Sequence, residues 1–154
     1  VRRRLLIAFS ANDAWQRTSI VMKVTGQCHC GAIRYEAEVD PARVQICHCT
    51  DCQRLAGSAY RVSVGAPAET FRLLQGTPKI YIKTAESGNK RAHGFCADCG
   101  SPIYSAKPTD PPMYSLRVGG LDQRAQLPPG KQIWCRSALG WAANLQDVPR
   151  VEKQ

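Results

Sequence analysis

The chain has 154 residues, 44% hydrophobic and 21% charged, with Gly 12 and Pro 10, which is the composition of one globular domain large enough to bury its own core. Disorder, collagen-type repeats and helical membrane spans are excluded, since no apolar run approaches 18 residues. Two numbers stand out: eight cysteines and a formal charge of +9.

In chain order, residues 1–21 come first and read differently from the rest. Arg2, Arg3, Arg4 and Arg17 stand against Asp13 alone, so this stretch supplies +3 and leaves +6 to the remainder. The arginines followed by Leu5, Leu6, Ile7, Ala8 and Phe9 imitate a signal peptide, but the apolar run is shorter than the roughly 7–15 residues of an h-region. Asn12 and Asp13 then interrupt it. We read Met22 as the natural start and residues 1–21 as a mis-started or non-native extension, loosely packed or a short helix. The expected location is the cytoplasm.

From Lys23 the pattern is short strands with frequent breaks. Residues 32–39 alternate apolar and polar side chains, as a half-buried strand does. Residues 60–64, 70–74, 79–83 (Ile80 and Ile82 inward), 103–106 and 113–118 read the same way. Gly76-Thr77-Pro78, Ser87-Gly88-Asn89 and residues 108–112 break them, and the single helical candidate is a short one over 50–55. There is no internal repeat. The expected class is all-β: small antiparallel sheets in a domain over 22–145, with a tail at 146–154 and metal as cross-link.

Seven of the cysteines lie in three clusters: Cys28 and Cys30; Cys47, Cys49 and Cys52; Cys96 and Cys99. A disulfide framework spreads its cysteines through a secreted chain, whereas clusters in a chain without a leader read as metal ligands. Thiolates suit Zn²⁺, which takes four of them tetrahedrally. Placed on a strand, Cys28 and Cys30 present their sulfurs to one face, and Cys96 with Cys99 has the spacing of a zinc knuckle. Gly31 and Gly100 follow these pairs and permit positive φ. Two pairs make a closed four-thiolate structural site. Cys47, Cys49 and Cys52 have no obvious fourth partner, and three ligands with an open position mark a catalytic metal. Two alternatives stand beside this: all seven cysteines are structural, with His48 or Cys135 closing the second site, or the clusters hold iron–sulfur. His48 and His29, each between two same-face cysteines, should point away from them. Cys135 reads as a buried free thiol and His93 as a surface or loop histidine.

The segments Gly26-Gln27-Cys28-His29-Cys30-Gly31-Ala32-Ile33-Arg34-Tyr35, Cys47-His48-Cys49-Thr50-Asp51-Cys52-Gln53-Arg54 with Gly57-Ser58-Ala59-Tyr60, Gly94-Phe95-Cys96-Ala97-Asp98-Cys99-Gly100-Ser101-Pro102-Ile103-Tyr104, and Val118-Gly119-Gly120-Leu121-Asp122 resemble the glutathione-dependent formaldehyde-activating (Gfa-like) enzymes, a family that includes centromere protein V. The resemblance covers residues 22–141. It implies an Mss4-like all-β fold with a structural zinc on Cys28, Cys30, Cys96 and Cys99 and a catalytic or labile zinc on Cys47, Cys49 and Cys52. The implied activity joins glutathione to formaldehyde as S-(hydroxymethyl)glutathione, a carbon–sulfur lyase in reverse. Where many members carry a histidine before the Ile-Trp near the C-terminus, this chain has Gln132, which bears on its substrate.

The partners expected are therefore a small-molecule thiol and an aldehyde. Glutathione carries two carboxylates, so nearby cations should orient it; Arg54 is the first candidate, with Arg61 and Lys90 behind it. The competing reading is a non-catalytic zinc module that binds a thiol or a protein. Nucleic acid is disfavoured, because beyond Arg2-Arg3-Arg4 the longest basic run is Lys90-Arg91 and no aromatic–basic interleaving occurs.

Overall fold

The computed structural model describes residues 20–85 and 87–153. Apart from Ile20 and Val21, the extension read at 1–21 therefore lies outside the described residues. Ten strands and one helix follow: β1 (Met22–Gln27), β2 (Arg34–Val39), β3 (Gln45–Cys47), α1 (Thr50–Ala56), β4 (Arg61–Pro67), β5 (Arg72–Gln75), β6 (Lys79–Thr84), β7 (Lys90–Phe95), β8 (Pro102–Ala106), β9 (Met113–Arg117) and β10 (Lys131–Ile133). The fold is all-β in two sheets. One has three strands in the order β1-β2-β5; the other has seven, β10-β3-β4-β9-β8-β7-β6. The larger sheet is wider than the small sheets expected, and its β10–β3 pairing is parallel.

Alternation along the strands decides the layers, because successive side chains point to opposite faces. On β1 and β2 the inward set is Val24, Tyr35, Ala37 and Val39, all buried. On β4 it is Val62, Val64 and Ala66, with Leu116 paired to Val64 on β9. These residues join Ile33, Val44, Ile103, Val118, Leu121 and Leu127 in a single cluster that binds the two sheets together. Phe71 packs against it, stacked on Tyr114 at 4.4 Å and edge-on to Tyr104 at 5.5 Å.

The opposite face of the seven-stranded sheet is polar, yet it is also covered. Arg61, Ser63 and Gly65 alternate with the apolar set on β4; Ser63 pairs with Arg117, Ser115 with Ser105, and Ser105 with His93. Ser63, Ser105, His93 and Arg117 are all buried. A buried polar face needs partners or a ligand, since unsatisfied polar groups cost free energy away from water. It carries the site described below.

The edge strand β6 departs from expectation. Ile80 and Ile82 lie on the apolar side of the sheet but remain 45% and 44% exposed, because β6 is the last strand and no layer extends over it.

Gly94 is required by a cross-strand contact. It faces Tyr104 on β8, and a Cβ there would stand 2.7 Å from the Tyr104 ring. Gly94→Ala should lower stability by about 1–3 kcal/mol through overpacking, read as a lower urea midpoint with an unchanged slope.

Candidate metal centres and active site

The two cysteine pairs sit on turns, not on strands as the sequence suggested for the first. Cys28 and Cys30 occupy the turn after β1, where the Gly31 N–H donates to the Cys28 carbonyl at 3.1 Å; Cys96 and Cys99 occupy the turn after β7, where the Gly100 N–H donates to the Cys96 carbonyl at 2.9 Å. Gly31 and Gly100 close these turns at φ 77° and 74°, a region costly for other L-residues. Each turn thus folds two sulfurs toward one point. The His29 N–H donates to Ser101 Oγ at 3.0 Å and ties the two turns together.

The four sulfurs fit a tetrahedral zinc. All lie within 4.8 Å of one another, with Cys28–Cys30 at 3.5 Å and Cys30–Cys96 at 3.7 Å. Zinc–sulfur bonds of about 2.3 Å in a tetrahedron put sulfurs about 3.8 Å apart. The Ile33 N–H donates to Cys28 Sγ at 3.2 Å, which favours thiolate. The Ser101 hydroxyl, then its amide, holds the Cys99 thiol down at about 5.

The second cluster is built where β3 runs into α1. Cys47 ends β3, Cys49 caps α1 with its Sγ accepting from the Cys52 N–H at 3.4 Å, and Cys52 lies in the first helical turn. Cys47 and Cys52 sulfurs are 3.2 Å apart, and the three sulfurs lie within 4.8 Å. Among the described residues no fourth histidine, cysteine or carboxylate joins the group. His48 is turned elsewhere: its Nε2 lies 2.8 Å from Gln132 Oε1, so Nε2–H donates, and its ring meets Tyr60 edge-on. Cys135 is exposed rather than buried and stands apart from both clusters; the short helical turn Cys135–Ser137 lifts it to the surface.

The three sulfurs open into a cavity of about 370 Å³ on the polar face of the large sheet. Among the described residues its walls carry Arg61, Lys83, Arg91 and Arg136 against one acid, Asp51, which pairs with Lys83. Arg61 stands opposite Cys47 in the β3–β4 register, and its buried Nε has no hydrogen-bond partner. Beneath it, Arg117 Nη2 lies 3.3 Å from His93 Nδ1 and Nη1 donates to the Ser115 carbonyl at 3.4 Å. Burial and the neighbouring Arg61 bring Arg117 down to about 9, against the pull of Cys52 and Cys47. His93 is therefore not a surface histidine. It is 9% exposed, accepts at Nδ1, and is pushed down to about 4 by burial and then by Arg117, Arg61, Lys83 and Arg91.

The far wall comes from the C-terminal segment. The Gln53 side-chain amide donates to the His48 and Ser137 carbonyls at 2.7 and 2.8 Å, fastening α1 to it. Trp134 lines the cavity with left-handed backbone, φ 58°, and Arg136 lies over its ring at 5.0 Å. A non-glycine residue held there stores strain, which clusters at functional sites.

Of the residues singled out from sequence, the structure brings Cys28, Cys30, Cys96 and Cys99 together, and separately Cys47, Cys49 and Cys52. Arg54 is exposed near the end of α1 and does not line the cavity, while Lys90 lines only an outer one. Lys83, Arg91, His93, Trp134 and Arg136 were missed as wall residues. The β4 alternation Arg61-Val62-Ser63-Val64 was the available signal that one sheet face is polar.

Residues 23–137 match the family described as glutathione-dependent formaldehyde-activating enzyme. A Halomonas elongata protein, its name given provisionally as glutathione-dependent formaldehyde-activating enzyme, is 27% identical over 113 residues, 70% of this chain and 71% of that one. A Rhodobacter sphaeroides protein of known crystal structure shares the fold with TM-score 0.55 and 23% identity, over 70% of this chain and 98% of that one. The chain belongs to the glutathione-dependent formaldehyde-activating enzyme family.

Two measurements follow. Cys99→Ser should unfold or aggregate the protein, since a structural zinc is worth about 10–16 kcal/mol of apparent folding energy, whereas Cys52→Ser should lose one metal and keep its far-UV spectrum. Metal analysis with circular dichroism reads both, and equal collapse would make the three-cysteine cluster structural. His93 gives the second. Its unfolded value is 6.5 and its folded value about 4, so between these the unfolded chain binds more protons and stability falls as pH drops. Over that window wild type should lose about 2 kcal/mol more than His93→Gln, measured by urea titration at each pH.

Proposed function

We propose that this chain is a zinc-dependent carbon–sulfur lyase that makes and breaks a thiol–aldehyde adduct, with glutathione and formaldehyde giving S-(hydroxymethyl)glutathione. The observation that carries this reading is the three-sulfur cluster, one ligand short, opening into a cationic cavity. Family membership supports the same substrates. When bound, Zn²⁺ with an open position supplies Lewis acidity toward a thiol or a carbonyl oxygen.

The chain's own residues do the rest. In the forward direction the thiol sulfur bonds to the carbonyl carbon, the carbonyl π electrons go to oxygen, and the thiol proton ends there as hydroxyl. Arg61, with an unpartnered Nε beside the cysteines, stabilises the anionic sulfur and the oxygen on which charge develops. His93 stays neutral at physiological pH, so it adds no charge to a site already rich in cations. Arg91 and Arg136 orient the substrate's carboxylates, while Trp134 walls the cavity from bulk water. Holding thiol and aldehyde together removes much of the entropic barrier of a bimolecular step. Arg54, exposed on α1 and off the cavity wall, is not needed for this reading. A cytoplasmic setting, which keeps thiols reduced, suits the clustered cysteines, and residues 22–145 form the working domain.

Exchange spectroscopy tests this. The NMR interconversion of glutathione and formaldehyde with their adduct should accelerate in proportion to protein concentration, and Cys52→Ser should abolish the acceleration. An exchange rate indifferent to protein would remove the named activity.

A further inference from the structure

The cavity over Cys47, Cys49 and Cys52 does not end at its own rim. A second cavity of about 290 Å³ shares four wall residues with it, Gln45, Arg91, Ser105 and Ser115. A third, of about 810 Å³, shares Ala85, Ser87 and Arg91 with the first and Arg91 and Lys107 with the second. Arg91 alone lines all three. The three spaces form one groove, and Arg91 stands at its junction.

The sheet gives this groove a direction. Cys47 is on β3 and Arg91 on β7, and β4, β9 and β8 lie between them. Both nonetheless line the first cavity, and Lys83, which pairs with Arg91 across β6 and β7, reaches Asp51 on α1. A thiol that extends from the cysteines into the second and third cavities passes Arg91, which a two-carbon thiol has no atoms to do. The floor between is the row His93, Ser105 and Ser115, paired across β7, β8 and β9, which offers hydrogen bonds and no charge of its own at neutral pH. At the far end Arg91, Lys90 and Lys107 gather, and no described residue lining the second or third cavity is acidic. The only described acid on the first cavity's wall, Asp51, is engaged by Lys83.

We propose that Arg91, backed by Lys107, is the specificity residue of this site: it holds the anionic group at the remote end of an elongated thiol whose sulfur reaches Cys47, Cys49 and Cys52. The inference rests on the thiol–aldehyde reading and deepens it, because it says which thiols the site accepts. A carboxylate on a peptide thiol and a phosphate on a phosphorylated thiol share the required chemistry, and a short neutral thiol lacks it.

The experiment separates this inference from the reaction. Binding of S-methylglutathione and of S-methylphosphopantetheine, whose blocked sulfurs cannot ligate metal as thiolates, is measured by calorimetry on the metal-loaded protein. At least one should bind wild type, weaken about tenfold in Arg91→Ala, and recover most of its affinity in Arg91→Lys; which one binds names the anion. In parallel, kcat/KM for glutathione relative to 2-mercaptoethanol should fall about tenfold in Arg91→Ala. If neither probe binds, or Arg91→Ala binds both as wild type does, the inference is overturned. An equal loss with both thiols also overturns it, because Arg91 would then be structural. Arg91-dependent binding without any adduct formation would instead remove the proposed reaction and leave the groove standing.

Discussion

Four sulfurs within 4.8 Å of each other pose the constraint on which this fold depends. Ionised and alone they repel strongly, and protonated they hold nothing together; a cation among them turns the same crowding into a cross-link. Two of the sulfurs come from the turn after β1, in the three-stranded sheet, and two from the turn after β7, in the seven-stranded sheet. Such a cross-link would join the two layers at one end, while the cluster around Tyr35 and Leu116 joins them through the middle. With the layers fixed, the far face of the large sheet has a defined position. The second cysteine cluster is built at its margin.

That far face shows how one alternating pattern serves two ends. A half-buried strand ordinarily turns its polar side chains to water. Here α1 and the C-terminal segment cover the polar side as well, so Ser63, Ser105, His93 and Arg117 are enclosed. Two buried or half-buried arginines without a described carboxylate partner are costly unless something anionic faces them. As metal-bound thiolates the three cysteines would supply part of that counter-charge, and an anionic substrate would supply more. The electrostatics of the fold and the chemistry of the site are thus the same arrangement.

Much of this was legible in the residues. The grouping of seven cysteines into four and three followed from spacing and from the glycines after each pair. The strands read from alternation at residues 32–39, 60–64 and 79–83 correspond to β2, β4 and β6, with β4 running three residues further. What could not be seen has physical causes. The turn placement of Cys28 and Cys30 depends on hydrogen bonds to Ile33 and Gly31, and the turn converges two sulfurs as a strand would. His93 looked like a surface or loop histidine; its burial comes from neighbouring strands β6 and β8. Arg54 was favoured by nearness to Cys52 in sequence, but it lies on the exposed side of α1. Arg91 reaches the cavity through the pairings of β7 and Arg136 through the turn at Cys135–Ser137, and no local pattern announces either.

The parallel pairing of β10 with β3 has a consequence in time. All three sulfurs of the open cluster have been synthesised by residue 52, whereas the segment that walls them, fastened through Gln53 to Ser137, arrives at the end of the domain. A growing chain thus presents its thiols before it can enclose them. Closure of this wall is a long-range event of the kind that comes late in folding, so there is an interval in which metal can enter from open solvent. The loaded cluster and its wall would then be assembled in that order, with the enclosure sealing a site already filled.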